Sequence, residues 1–103
     1  MSATAVAQTS VVESGPGHLT VRGPLTFATA RRAREEGLKL LASSGNAVEV
    51  DCSGVTVSDS AGLMVLLDWI SNAKRAGKAL KLVNLPEPIL AVAKISNVEE
   101  LLV

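Results

Sequence analysis

Aromatic side chains are nearly absent: the 103 residues include one Phe, one Trp and no Tyr. Whatever core the chain builds must come from Val, Leu, Ile and Ala. Cys52 is the single cysteine, which excludes an intrachain disulfide and fits a reducing compartment. His18 is the single histidine, so no second His or Cys completes a zinc site, and its place beside a turn reads as surface. An excess of one charge is missing too. Ten basic residues balance ten acidic ones, so the chain lacks the positive footprint of a nucleic-acid binder and any electrostatic reason to sit on anionic lipid. The apolar run at 63–67 falls far short of the roughly 20 residues that span a bilayer. Residues 1–8 lack the basic flank and apolar stretch of a signal peptide. A cytoplasmic protein is expected, without direct membrane insertion, unless a partner holds it to a membrane.

What is present is an alternation of periods. One domain is expected over residues 10–103, after a flexible tail at 1–9 that offers little to bury. Residues 10–13 read as a short strand and Ser14-Gly15-Pro16-Gly17 as a turn. Leu19 and Val21 alternate with polar neighbours in a half-buried strand that Gly23-Pro24 closes. The period then lengthens. Thr26 is the expected N-cap of a helix in which Phe27, Ala30, Gly37 (or Leu38) and Leu41 share a face, and Ser44-Gly45-Asn46 stops it. Arg31 and Glu35, like Arg32 and Glu36, stand four apart, each pair worth about a few tenths of a kcal/mol. With acids interleaved, this basic cluster reads as a solvated helix face rather than an anion site.

Val48 and Val50 mark the next strand. Ser53-Gly54 bends it, and Val55 and Val57 lead to Ser58-Asp59-Ser60. A second helix follows over 60–76, with Leu63, Leu66, Leu67, Ile70 and Ala73 in one apolar stripe, so Leu66 and Ile70 are expected in the core. Lys74 and Arg75 suit its last turn, and Gly77 ends it. Leu80 and Leu82 give a further strand. Pro86 and Pro88 open a third helix that runs to Ile95. Strands alternating with helices predict an α/β fold, a mixed β-sheet of four to five strands covered by α-helices.

Catalytic chemistry has little to work with. The glycines follow neither the Walker A nor the dinucleotide spacing. No histidine lies near Cys52 or Ser60 to activate either as a nucleophile, and Cys52 reads as a small buried hydrophobe. Asp51, Asp59 and Asp68 leave a carboxylate pair or a magnesium site as the one enzymatic reading, and it is the weakest. No cofactor is expected.

The segment from Ser53 to Leu63 stands apart. Capping by Ser58 or Asp59 explains part of it, since a helix N-terminus exposes unpaired N–H groups. Capping leaves Ser60, Ala61 and Gly62 without a purpose. A hydroxyl at the positive end of a helix is well placed for a phosphate or for a partner's acceptor, and Gly62 would admit another backbone.

Val50-Asp51-Cys52-Ser53-Gly54-Val55 followed by Asp59-Ser60-Ala61-Gly62-Leu63 resembles the signature of the STAS family, the fold of the anti-sigma-factor antagonists. The likeness runs over roughly 10–103, including the Leu-Lys-Leu-Val strand. Within the family, Gly23-Pro24-Leu25-Thr26-Phe27 and the run 66–69 with Ala73-Lys74 are most similar to the small STAS subunit of the Mla phospholipid-transport ABC system. That resemblance implies a non-catalytic subunit docked on the transporter's ATPase, supporting its assembly and activity. It maps the partner-facing hydroxyl onto Ser60, and the docking surface expected around it takes in Ser58, Asp59, Ala61 and Gly62, with Met64 and Asp68 added because they share the face of the helix offset from its apolar stripe. The alternative it carries is an antagonist phosphorylated at Ser60 by an anti-sigma kinase. The chain stops before the long C-terminal helix typical of those antagonists, which favours the transporter. Trp69 keeps two readings, core packing beside the stripe or an interface anchor.

Overall fold

A computed structural model describes residues 8–102. Strand β1 (Ser10–Gly15) turns at Pro16-Gly17 into β2 (His18–Leu25), then come α1 (Ala30–Ser43), β3 (Ala47–Ser58), α2 (Ser60–Arg75), β4 (Ala79–Val83) and α3 (Glu87–Ile95). A single 3-10 turn, Glu99–Leu102, follows. The sheet has four strands in the order β1-β2-β3-β4. The β1–β2 hairpin is antiparallel, whereas β2–β3 and β3–β4 are parallel, each joined through a helix. This is the mixed, helix-covered sheet that the alternating periods predict.

Alternation along the strands sets which face is buried. Val11, Leu19, Val21, Val48, Val50, Cys52 and Leu82 point into the core, while His18, Arg22 and Lys81 lie exposed on the other face. The core is completed by Leu63, Val65, Leu66 and Trp69 of α2, Ala33 and Leu41 of α1, and Ile89 and Ala93 of α3. Leu66 is core as expected. Ile70 is only half-buried, because α2 rolls to bring Val65 and Trp69 inward.

Trp69 resolves in favour of the core, at 1% exposure. Its indole lies on α1 where Gly37 has no side chain, and a Cβ there would overlap the ring. Its Nε1–H donates to the Arg34 carbonyl (3.2 Å), so the one polar atom of the buried ring is satisfied. Beside it, Arg34 Nε meets Asp68 Oδ2 at 2.7 Å, a second tie between α1 and α2.

Several boundaries differ from the sequence expectation. The Gly23-Pro24 pair does not end β2, which continues to Leu25. Ser53-Gly54 does not break β3. The strand runs on to Ser58 and absorbs the extra residues as irregularities in its pairing with β2. Helix α1 starts three residues later than expected: Thr29, not Thr26, is its N-cap, and Phe27 lies in the preceding turn rather than on the core face. The expected tail falls mostly outside the described residues. Of its last two residues Gln8 is exposed, but Thr9 is buried, with its hydroxyl donating to the Arg22 carbonyl (3.4 Å).

Side chains of α1 and the α2–β4 turn finish the frame. Glu36 accepts the Val11 amide of edge strand β1 (3.2 Å) and pairs with Arg32 (3.0 Å). Arg31 and Glu35 form the other four-apart pair at 3.7 Å, with both side chains mostly in solvent. Lys78 Nζ donates to the carbonyls of Leu41 and Ser44, satisfying acceptors at the C-terminus of α1.

Candidate functional site

The end of β3 and the start of α2 meet at Asp59, whose backbone is extended (φ −144°, ψ −169°). Its Oδ1 accepts the amides of Ala61 (2.9 Å) and Gly62 (3.4 Å), two of the donors that an α-helix leaves unpaired at its N-terminus. Its Oδ2 accepts the amide of Phe27 (3.0 Å), thirty-two positions earlier in the chain. One carboxylate thus caps α2 and fastens the turn before α1 to that cap.

Ser60 opens α2 and is exposed, as expected. Met64, one turn on, is 60% exposed, and Asp68, a further turn on, is half-buried and held by Arg34. Ala61 is half-buried. These residues share one stripe of α2, offset from the core stripe, so the structure does bring Ser60, Met64 and Asp68 onto one face.

Two of the residues read as surface are not. Gly62 is buried, and a Cβ on it would stand 2.5 Å from the Leu25 carbonyl oxygen. The backbone that Gly62 admits is the chain's own, at the end of β2, and not a partner's. Ser58 is half-buried, with its Oγ enclosed and without a hydrogen-bond partner among the described residues, so its hydroxyl does not face a visitor.

Two others were missed. Phe27 is 85% exposed and Val57 55% exposed. Phe27 is bonded through its amide to Asp59, and Val57 precedes Ser58 at the end of β3. Val57 lies three residues before Ser60 on the chain, Phe27 is tied to the helix cap by its backbone amide, and Met64 stands one turn along α2, so three exposed apolar residues belong to the segments that meet at Asp59. Helical spacing in the sequence pulled Phe27 toward the core. The preceding Gly23-Pro24 was the only local hint that the helix had not yet begun.

The carboxylates do not assemble. Asp51 accepts from the Asn84 side chain (3.0 Å) and the Ser53 amide (2.9 Å), and these two donors hold its carboxyl below the usual range. The extended β3 places it roughly 20 Å or more from Asp59 at ~3.3 Å per residue. Asp68 is tied to Arg34. The carboxylate pair read from the sequence is therefore not formed. Among the described residues no three His, Cys, Asp or Glu side chains come together as a metal site. Burial, and then the neighbouring Asp51 carboxylate, push the Cys52 thiol up to about 12, which fits a small core residue and not a nucleophile. No helix among the described residues is long and apolar enough to cross a membrane.

Comparison with known proteins places this geometry. No curated protein matches the chain. In shape it is similar to the anti-sigma factor antagonist SpoIIAA in its unphosphorylated form (TM-score 0.66, 13% identity), covering 89% of this chain and 83% of that one. It is also similar to a sulfate transporter family protein from Wolinella succinogenes (TM-score 0.65, 20% identity, 91% and 76% covered). A third likeness is to the murine Slc26a9 anion transporter in its inward-facing state (TM-score 0.63, 20% identity). There it covers 91% of this chain but spans only 18% of the transporter. At these identities the likenesses establish the fold. The family model described as "Mlab, STAS domain" matches residues 10–103, so the chain belongs to that family of STAS domains.

Proposed function

We propose that this protein is a non-catalytic docking subunit for the ATPase of an Mla-type ABC transporter. In that role it supports the transporter's assembly and activity in moving phospholipid for outer-membrane lipid asymmetry. The observation that carries the reading is the exposed Ser60 at the start of α2, beside the cap Asp59 that also holds the turn of the exposed Phe27. Phe27, Val57 and Met64, on the segments that meet at Asp59, leave apolar side chains in solvent, as Val12, Ile95 and Leu101 do elsewhere on the domain. Exposed apolar groups on adjoining segments are what a partner surface buries. Membership in the Mlab family of STAS domains supports an ATPase as that partner, and STAS domains are in general non-catalytic. On this reading the protein stands at the cytoplasmic side of the inner membrane through its partner alone.

The second reading, an antagonist switched by phosphorylation at Ser60, draws on the exposed hydroxyl at the centre of the same face. Co-purification separates the two, since one predicts a nucleotide-binding transporter subunit and the other an anti-sigma kinase.

The test of the face itself is Ser60→Glu. At the positive end of α2 the free domain should tolerate the charge, and its unfolding midpoint should be nearly unchanged. A partner packed on Ser60 would have to bury that charge unpaired, at a cost of about several kcal/mol, so the complex should be lost. Ser60→Ala should fold and bind much as the wild type does. Equal binding by all three proteins would move the docking surface elsewhere.

A further inference from the structure

Phe27 is the least expected member of the docking face and the most firmly mounted. The turn that carries it is closed by Thr29, whose amide donates to the Thr26 carbonyl (3.0 Å). The Thr29 hydroxyl donates to the Pro24 carbonyl (2.8 Å) and accepts the Thr26 amide (3.0 Å). The Phe27 amide goes to Asp59 Oδ2 (3.0 Å). The ring itself contributes almost nothing to the core, at 85% exposure. A turn held this closely fixes the backbone from which the ring projects, so less backbone freedom is left to lose when a partner covers it.

We infer that Asp59 is a positioning residue of the docking face. While Oδ1 caps α2, Oδ2 fixes where Phe27 stands relative to Ser60, and Phe27 is thereby presented as the apolar anchor of the complex. This rests on the reading that the face binds the transporter's nucleotide-binding subunit. Of the carboxylates on the face, Asp59 is held by backbone amides and Asp68 is paired with Arg34. A face that carries two engaged carboxylates and one arginine has no positive excess, and so fits a protein surface better than a phosphate-bearing lipid or nucleic acid. The cap and the anchor are one device: the side chain that starts the helix also aims the ring.

The experiment uses the full chain with two readouts. In the free protein, hydrogen exchange follows the Phe27 amide. Ser at position 59 still caps α2 but is too short to hold Phe27, so Asp59→Ser should speed exchange at Phe27 about tenfold or more and leave residues 63–67 unchanged. In the complex, Phe27→Ala and Asp59→Ser should each weaken binding to the nucleotide-binding subunit about tenfold or more. The double variant should be no more than about twofold weaker than the weaker single, because both remove the same contact. If Asp59→Ser fails to fold, Asp59→Asn replaces it under the same criteria. Unchanged exchange at Phe27, wild-type binding by Phe27→Ala, or an additive double variant each overturns the inference. Wild-type protein that does not bind the subunit overturns the functional reading instead, and the exchange result then decides alone whether Asp59 positions Phe27.

Discussion

Ten residues apart on one stretch of chain, Gly37 and Phe27 meet aromatic chemistry in opposite ways. At Gly37 the helix gives up its side chain so that Trp69 can pack against α1, 1% exposed and with its N–H bonded to the Arg34 carbonyl. At Phe27 the turn before the same helix holds its backbone with equal care, yet leaves the ring 85% exposed. Both sites join α1 to α2, one through packing and one through a carboxylate. The difference teaches that this domain spends one aromatic on cohesion while the other adds almost nothing to the core. A fold that needed both for stability would have turned Phe27 inward.

Substitution tests that contrast directly. The largest effect is expected from Trp69→Ala, which empties a closed site in a small core and should lower unfolding free energy by about 3–5 kcal/mol in a denaturant titration. A loss under about 1 kcal/mol would mean the indole is not the keystone of the α1–α2 contact. Gly37→Ala should come next, costing about 1–3 kcal/mol through overlap with the same ring. A neutral outcome there would show that the two helices part easily, and the contrast with Phe27 would dissolve. Phe27→Ala should be the smallest, within about 0.5 kcal/mol of wild type by the same titration. A clear destabilisation would mark Phe27 as a structural residue after all and blunt the distinction from Trp69.

Much of this arrangement was legible in the sequence, and the failures have physical causes. The start of α2 reads directly because Asp59 is a strong cap placed between an alternating strand and a helical stripe. The four-stranded mixed sheet follows from the same switches of period. The start of α1 was misplaced because Thr26 and Thr29 are both acceptable caps, and only the tertiary bonds to Pro24 and Asp59 decide between them. The exposure of Phe27 is lost with that choice. The break expected at Ser53-Gly54 failed because the long parallel pairing with β2 tolerates a bulge where local propensity asks for a bend. Gly62 was assigned to the surface because a single chain does not reveal that the backbone it admits is its own, from Leu25. The seat of Trp69 on Gly37 is a contact between two helices that share no local pattern.

The bond from the Val11 amide to Glu36 bears on how this domain behaves in a crowd. A strand at the rim of a sheet offers its outward N–H and C=O groups to any passing chain, the route by which soluble domains template fibres. Here the rim strand β1 has that outward amide already engaged by a carboxylate from α1, itself kept in place by Arg32. The opposite rim, β4, carries the exposed Lys81 at its middle, a charge that a second strand would have to bury. Each rim of the sheet thus carries one device that works against pairing with a second copy of the chain.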